Sequence, residues 1–321
     1  MHIVNKKSIR HLYILAIETS CDDTSIALLK DDQVLGMKSA SSLTKYPKYG
    51  GIIPEIAARS HEEMIDQLYR ELLASLKFDF HQITHVAYTS EPGLPGSLHI
   101  GKIYAKTLGF LLSVPVIPIN HLHAHAMSFA INNYGSIRYP FLALVASGGN
   151  TVIYFCTNPK KFTIVNETGD DAVGEALDKI GRALGLTYPG AIAIDRNYQK
   201  TKVVETIKHL PPDHPFSFSG IKVHCLNWIN QAKQQKQHVD TIKIGSSALH
   251  WAVDDILLKL QFYADQYHLN RFAFGGGFIA NQLFRKKIAA KKQWESHLTD
   301  LAYVGDNAAM IGFLAYCIIK K

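Results

Sequence analysis

Tyr13-Ile14-Leu15-Ala16-Ile17, then Glu18-Thr19-Ser20-Cys21-Asp22-Asp23-Thr24, then Ser25-Ile26-Ala27-Leu28-Leu29: on this stretch the fold turns. Two short apolar runs flank a polar turn, the pattern of a strand, a turn and a second strand. The same order returns about half the chain later. Phe141–Ala146 is apolar, Ser147-Gly148-Gly149-Asn150-Thr151 is a polar turn, and Val152–Cys156 is apolar again. A repeated pattern without sequence identity points to two halves of similar topology, although any α/β protein holds several hairpins.

Working outward, helices and strands alternate. Residues 54–76 place Met64, Ile65, Leu68, Tyr69, Leu72, Leu73 and Leu76 at helical spacing. Val86–Thr89 reads as a strand before the turn-rich Pro92-Gly93-Leu94-Pro95-Gly96, and Ile103–Leu112 as a helix. Ala172–Leu184 and Ala248–Tyr267 are periodic helices, and Arg271–Phe274 is a strand leading into Gly275-Gly276-Gly277. Residues 196–245 look polar and irregular, with a loop at Pro211-Pro212, and the boundary between halves is expected near 115–120. The class is α/β.

Composition narrows the function. The chain has 321 residues, 47% of them hydrophobic and 19% charged, which excludes a disordered protein. The net charge of +7 suits an anionic partner such as RNA or a nucleotide without requiring one. Cys21, Cys156, Cys225 and Cys317 form no CxxC pair, which argues against a disulfide framework, a zinc ribbon or an iron–sulfur cluster. Met310–Ile319, the longest apolar candidate, is too short to cross a membrane and reads as a buried terminal helix. The basic start lacks a secretory apolar run, so a cytoplasmic protein with no membrane partner is expected.

Three histidines alternate in Asn120-His121-Leu122-His123-Ala124-His125. With Asn120 as an N-cap the segment favours a helix. His121 and His125 then share a face and can supply two imidazoles to one metal, while His123 points away. A third ligand must come from elsewhere, and the bland alternative is a histidine-rich helix start in a chain with 16 His. The position beside the first histidine, where a zinc peptidase of the HExxH type carries its Glu, holds Leu122, so that route to an activated water is missing. Ser147-Gly148-Gly149 and Gly275-Gly276-Gly277 each end a strand and let backbone N–H groups approach an anion. Neither a P-loop GK[ST] nor a GxGxxG is present. Asp171, Glu175 and Asp178 lie along one helix face, either as a solvated acidic face or as acceptors for ribose hydroxyls or a metal. Phe216-Ser217-Phe218-Ser219-Gly220-Ile221-Lys222 offers aromatics for the core or for RNA.

Taken in order, these motifs resemble the TsaD (YgjD/Gcp) family, the tRNA N6-adenosine threonylcarbamoyltransferases. The resemblance rests on residues 14–24, Gly50-Gly51-Ile52-Ile53-Pro54-Glu55, Pro92-Gly93-Leu94, the pair His121 and His125, and residues 147–151. It continues through residues 170–179, Tyr188-Pro189-Gly190, Phe216–Lys222, Gly275–Asn281 and Asp306-Asn307-Ala308-Ala309-Met310. It implies a two-lobed actin-like ATPase fold of the sugar kinase/Hsp70/actin type with a duplicated core. The expected lobes are 1–118, 119–308 carrying the metal and nucleotide site, and 309–321 as a terminal helix packed back on the first lobe.

The resemblance also implies transfer of the threonylcarbamoyl group from threonylcarbamoyl-AMP to N6 of adenosine 37 in tRNAs reading ANN codons, with AMP released. His121, His125 and Asp306 would hold one metal ion per subunit, Fe2+ or Zn2+, with Mg2+ reserved for bound ATP. Val145, Ala146, Ser147, Gly148, Gly149, Asp178, Ala191, Asp195 and Asn281 would contact the adenylate. Glu175, Gly275, Gly276, Gly277 and Asp22 are further nucleotide-site candidates. The implied partners are tRNA, TsaB-like and TsaE-like subunits, and a TsaC-type enzyme supplying the adenylate. Glu91, Asn150, Ala191 and Gly305 depart from the family pattern, with Ala191 standing where a glycine approaches the nucleotide. The alternatives are an inactive scaffold subunit of the same complex and a metallopeptidase.

Overall fold

The computed structural model describes residues 11–42, 53–204 and 207–320. The N-terminal extension before the first strand and the Gly50-Gly51-Ile52 part of the second motif lie outside the described residues. The chain divides into two compact units.

The first unit takes the described residues up to Ile137 and those from Asp306 onward. It begins with β1 (Tyr13–Glu18), β2 (Asp23–Lys30) and β3 (Gln33–Ser41), followed by α1 (Pro54–Leu76), β4 (His85–Glu91), α2 (Pro95–Leu112), β5 (Val116–Asn120) and α3 (His121–Met127). The sheet order is β3-β2-β1-β4-β5. The β1–β2 and β2–β3 pairs are antiparallel, while β1–β4 and β4–β5 are parallel.

The second unit, Arg138–Gly305, holds β6 (Phe141–Ala146), β7 (Thr151–Asn158), β8 (Lys161–Glu167), α4 (Val173–Ala183), α5 (Gly190–Arg196), α6 (Ser219–Gln234), α7 (Thr241–Tyr267), β9 (Arg271–Gly275), α8 (Gln282–Ala290) and β10 (Glu295–Leu298). Its sheet runs β8-β7-β6-β9-β10, an antiparallel hairpin set joined to parallel strands as in the first unit. The two polar turns quoted at the outset occupy equivalent positions, so the repeated pattern reflects a duplicated topology. α9 (Ala308–Ile319) then returns to the first unit and packs on β1 and β2.

The first sheet explains its own sequence. Leu15, Ile17, Ile26 and Leu28 form a core with Ile65, Leu68 and Leu72 of α1, and α9 packs on β1 and β2 as well. With helices packed on it, β1 has no face to leave polar, and its apolar run is unbroken from Ile14 to Ile17. α9 is buried almost along its whole length for the same reason. Among the described residues no helix is long and apolar enough to cross a membrane.

Two expectations need correcting. The unit boundaries fall at 137/138 and 305/306 rather than 118/119 and 308/309, so α3 and its histidines belong to the first unit. β5 runs directly into α3, and α3 packs on α9, which holds it there. Residues 196–245, expected to be irregular, contain α6. Its sequence is polar, yet Ile221, Cys225 and Ile229 recur every four residues and bury one stripe.

Candidate metal centre and nucleotide turns

α3 starts where the sequence places it. The Asn120 side chain accepts the His123 N–H at 3.1 Å, closing the first turn. His121 and His125 consequently face the same way, both buried, with ring centroids 4.6 Å apart. Asp306, just ahead of α9, supplies the third donor. Its Oδ1 lies 3.1 Å from His125 Nε2 and 3.5 Å from His121 Nε2. Ligand atoms of His121, His125 and Asp306 all lie within 4.8 Å of one another.

Behind them stands Glu18, a carboxylate that is fully buried at the end of β1. Its Oε2 is 3.0 Å from His121 Nδ1 and also accepts the Thr89 hydroxyl, while Oε1 accepts the Ser20 N–H at 2.5 Å. With Glu18 on Nδ1, the other nitrogen of His121 is left facing Asp306. Carboxylates that orient metal-bound imidazoles act in this way. His125 Nδ1 is buried and without a hydrogen-bond partner. Two imidazoles and a carboxylate, buried, convergent and backed by a second carboxylate, are compatible with a metal site.

The charges agree with that reading. Burial alone would lower the pKa of His121, but the Glu18 and Asp306 carboxylates outweigh it and raise the value to about 9. Burial would raise Asp306, yet the His121 charge and the His125 hydrogen bond hold it well below the usual carboxylate range. Burial depresses His125. Without a metal, the cluster favours an imidazolium at His121 between two carboxylates.

The polar turn after β1 is fixed from several sides. His61 of α1 bonds Thr24 Oγ1 at 2.8 Å and the Cys21 carbonyl at 3.0 Å. The Leu94 N–H donates to the Ser20 carbonyl at 2.7 Å, and a Cβ at Gly93 would stand 2.5 Å from that same oxygen, so Pro92-Gly93-Leu94 closes over Ser20. Glu91, one of the departures, is exposed at the end of β4. Asp22 lies in the first unit, whereas the residues expected around the adenylate lie in the second.

Asp23 on the same turn has a buried, unpartnered Oδ1, and burial together with the Asp22, Asp306 and Glu18 charges pushes its pKa up to about 6. A raised carboxyl pKa means that the folded state holds its proton longer than the unfolded one. The resulting stability is present below about pH 4 and is lost as pH rises through about 6. Asp23→Asn is therefore expected to raise the Tm of the metal-free protein at pH 7 and to leave it unchanged below about pH 4. Melting curves across that range check this, and equal Tm values at pH 7 would contradict it.

In the second unit, the two glycine turns stand at the ends of adjacent parallel strands, β6 and β9, with Val145 opposite Gly275. In open α/β sheets, ligands bind outside the carboxyl ends of the strands. Gly276 has φ +92°, and a Cβ there would meet the Ala146 carbonyl oxygen at 2.3 Å, so the two turns touch. Among the described residues, and apart from the chain neighbours, Cβ atoms at Gly148, Gly149 or Gly277 would meet nothing within 4 Å. The first turn of α4 abuts Ser147, whose carbonyl accepts the Gly174 N–H at 3.3 Å.

The other expected residues join this region through α5 and α8. Asp178 accepts the Ala191 N–H at 2.8 Å. Asp195 accepts the Gln282 N–H at 2.9 Å, and Asn281 caps α8 by accepting the Phe284 N–H at 2.8 Å. Burial raises the pKa of both Asp178 and Asp195. The methyl of Ala191 packs against the core rather than standing free.

The acidic face of α4 divides. Lys179 bridges Asp171 and Glu175, each at 2.8 Å, and Lys222 also bonds Asp171. Those two carboxylates are committed to lysines, and Asp178 alone turns toward α5. Phe216 and Phe218 are fully buried, so the aromatics of that motif serve the core.

Sequence reasoning quoted Glu18 and gave it no role. The signal was a carboxylate closing an apolar strand. It left His61 unremarked, and a lone histidine on a long helix carries no local signal.

Comparison with known proteins gives the family and the fold. The TsaD family model, tRNA N6-adenosine threonylcarbamoyltransferase, matches residues 33–313. The tRNA N6-adenosine threonylcarbamoyltransferase of Ureaplasma parvum serovar 3 is 46% identical over 309 residues, 96% of each chain. Among solved structures, full-length HypF in its phosphate- and nucleotide-bound form aligns with TM-score 0.60 at 14% identity, covering 96% of this chain and 55% of that one. The (R)-2-hydroxyglutaryl-CoA dehydratase component A of Acidaminococcus fermentans aligns with TM-score 0.54 at 13% identity, covering 97% and 100%. The structural likenesses give the fold, of the actin-like ATPase type, and the sequence relatives give the family: this chain belongs to the TsaD family of tRNA N6-adenosine threonylcarbamoyltransferases, which are acyltransferases.

Proposed function

We propose that the chain moves the threonylcarbamoyl group from threonylcarbamoyl-AMP to N6 of adenosine 37 in tRNAs that read ANN codons. N6 attacks the carbamoyl carbon and loses a proton. The bond from that carbon to the phosphate oxygen breaks, and AMP leaves with the electron pair. The observation that carries this reading is the His121–His125–Asp306 cluster with Glu18 behind it, in a chain of this family.

In this proposal His121, His125 and Asp306 hold one Fe2+ or Zn2+, the ions that suit two imidazoles and a carboxylate with open positions left over. The bound ion would supply Lewis acidity toward an oxygen of the acyl donor. Glu18 keeps the proton of His121 on Nδ1. The Val145–Gly149 and Gly275–Gly277 turns receive the phosphate of the adenylate through backbone N–H groups at the strand ends. Asp178, Asp195 and Asn281 accept or donate hydrogen bonds at the nucleoside. Mg2+ accompanies ATP where that nucleotide binds instead. The substrate places the protein in the cytoplasm.

The implied partners, TsaB-like and TsaE-like subunits and a TsaC-type source of adenylate, fit a chain with an apolar face to spare. Ile103, Phe110 and Leu111 of α2 are 50%, 84% and 68% exposed. Exposed apolar side chains grouped on one element are a usual mark of a protein contact.

The peptidase reading is weaker. Leu122 is buried and apolar, and Glu18 stands on the far nitrogen of His121, fully buried, where it cannot serve a water on the metal side. The scaffold reading has no need of the convergent cluster. The deciding experiment mixes the protein with its partner subunits, fresh threonylcarbamoyl-AMP and unmodified tRNA, then looks for threonylcarbamoyladenosine by mass spectrometry. Product is expected. Its absence, with partners and adenylate verified by a known active enzyme, would support the scaffold.

A further inference from the structure

Three neighbouring cavities of about 370, 550 and 580 Å3 run along the second unit between α7, α8 and residues 196–204 and 207–209. His209 and Asp254 line the first and second, His250 the first and third, and Lys287 the second and third, so they form one groove. Six basic side chains line it, Arg196, Lys200, Lys208, Lys286, Lys287 and Lys291, against two carboxylates.

Both carboxylates are already engaged. Asp195 accepts N–H groups at the start of α8, and Asp254 pairs with Lys287 and with His250 at 3.2 Å. The Tyr198 hydroxyl in turn bonds His250 Nδ1 at 2.8 Å, and the two rings lie parallel. Tyr198, His250, Asp254 and Lys287 thus form a fixed floor. Around it Arg196, Lys200 and Lys286 are exposed and, among the described residues, make no ion pair. Unpaired cations gathered around a groove raise the local potential for an anion with many charges.

We infer that this groove receives the phosphodiester backbone of the tRNA. The inference rests on the transferase reading and deepens it. At one margin the groove reaches Gln282 and Asp195, the latter one of the residues assigned to the adenylate. A strand lying there has its phosphates alongside the acyl donor. Lysine and arginine contacts to phosphate position a nucleic acid without reading its bases.

The test is the triple variant Arg196→Ala/Lys200→Ala/Lys286→Ala in the complex with its partners. Binding of unmodified tRNA is followed by fluorescence anisotropy across salt concentrations, beside adenylate affinity and a thermal melt. Affinity at low salt is expected to fall by roughly tenfold or more, and the slope of log affinity against log salt by about 2, with the melt unchanged. Unchanged affinity and slope in a variant whose parent binds and modifies tRNA would overturn the groove assignment and leave the transferase reading standing. Loss of adenylate affinity with tRNA binding intact would make the cavity an adenosine pocket, and loss of a partner subunit instead would make the face a contact for an acidic protein. Either result overturns the assignment. A parent that neither binds nor modifies tRNA would bring down the transferase reading, and the groove with it.

Discussion

His125→Ala and Asp306→Ala are each expected to strip the protein of its metal and to lower threonylcarbamoyl transfer by at least about 10³-fold, the rate equivalent of several kcal/mol of charge stabilisation. The expectation follows from the geometry. Asp306 Oδ1 stands within 3.5 Å of both Nε2 atoms, so either substitution opens the cluster. Glu18→Gln is the informative companion. The amide oxygen can still accept from His121 Nδ1, but the charge that favours binding of a cation is gone. Metal affinity should fall by about 10- to 100-fold, as is usual for such backing carboxylates, and added metal should restore transfer. Metal content by mass spectrometry is read beside the tRNA product. Full transfer without metal would end the catalytic role of the ion. Full metal retention in both alanine variants would show that the cluster is not its binding site. Either outcome leaves the family assignment intact, because the assignment does not depend on the cluster.

Much of this was legible beforehand, and the reasons differ by residue. The β1–β2 hairpin and its counterpart at β6–β7 announced themselves through apolar runs that the packed sheets require, and the helix of His121 and His125 through the Asn120 cap. Edge elements were harder. β3 and β8 are largely exposed or half-buried and carry little apolar signal. α6 was hidden by its glutamines and lysines. The unit boundary was misplaced because the chain crosses from one unit to the other after α3, with no run of glycine or proline to mark the place. At the metal cluster, sequence spacing could pair two histidines four apart. It could not bring in Asp306, 181 positions beyond His125, which entered only through the family resemblance. Glu18 was visible and unassigned, since a carboxylate closing an apolar strand has a partner only once the fold is known. Asp171 and Glu175 show the reverse. Their helical spacing allowed a solvated acidic face or ligand acceptors, and Lys179, four residues beyond Glu175, together with the distant Lys222, pairs with them.

Gly276→Ala and Gly149→Ala should separate the structural glycines from the functional ones. At Gly276 the backbone has φ +92°, and an added Cβ would stand 2.3 Å from the Ala146 carbonyl oxygen. That atom is backbone in a fully buried strand and cannot swing aside. The strained conformation costs about 1–2 kcal/mol and the displaced backbone about 1–3 kcal/mol more. For a unit of this size, a loss of that order lowers Tm by roughly 5–15 °C. At Gly149 no atom of the described residues beyond the chain neighbours lies within 4 Å of the added methyl, and the backbone is not in the left-handed region. The melt of Gly149→Ala should match the parent. The methyl would instead intrude on the open space at this turn, where the proposal has an anion approaching the backbone closely. Adenylate affinity, measured by calorimetry, should therefore fall by about 10- to 100-fold, or about 1.4–3 kcal/mol. Unchanged affinity in Gly149→Ala would remove this turn from the adenylate site, and an unchanged melt in Gly276→Ala would mean that the β6 and β9 turns can part. The open glycine and the crowded one belong to adjacent turns of one sheet, so the pair of variants tests whether a rigid strand end carries the nucleotide turn or whether the two move independently.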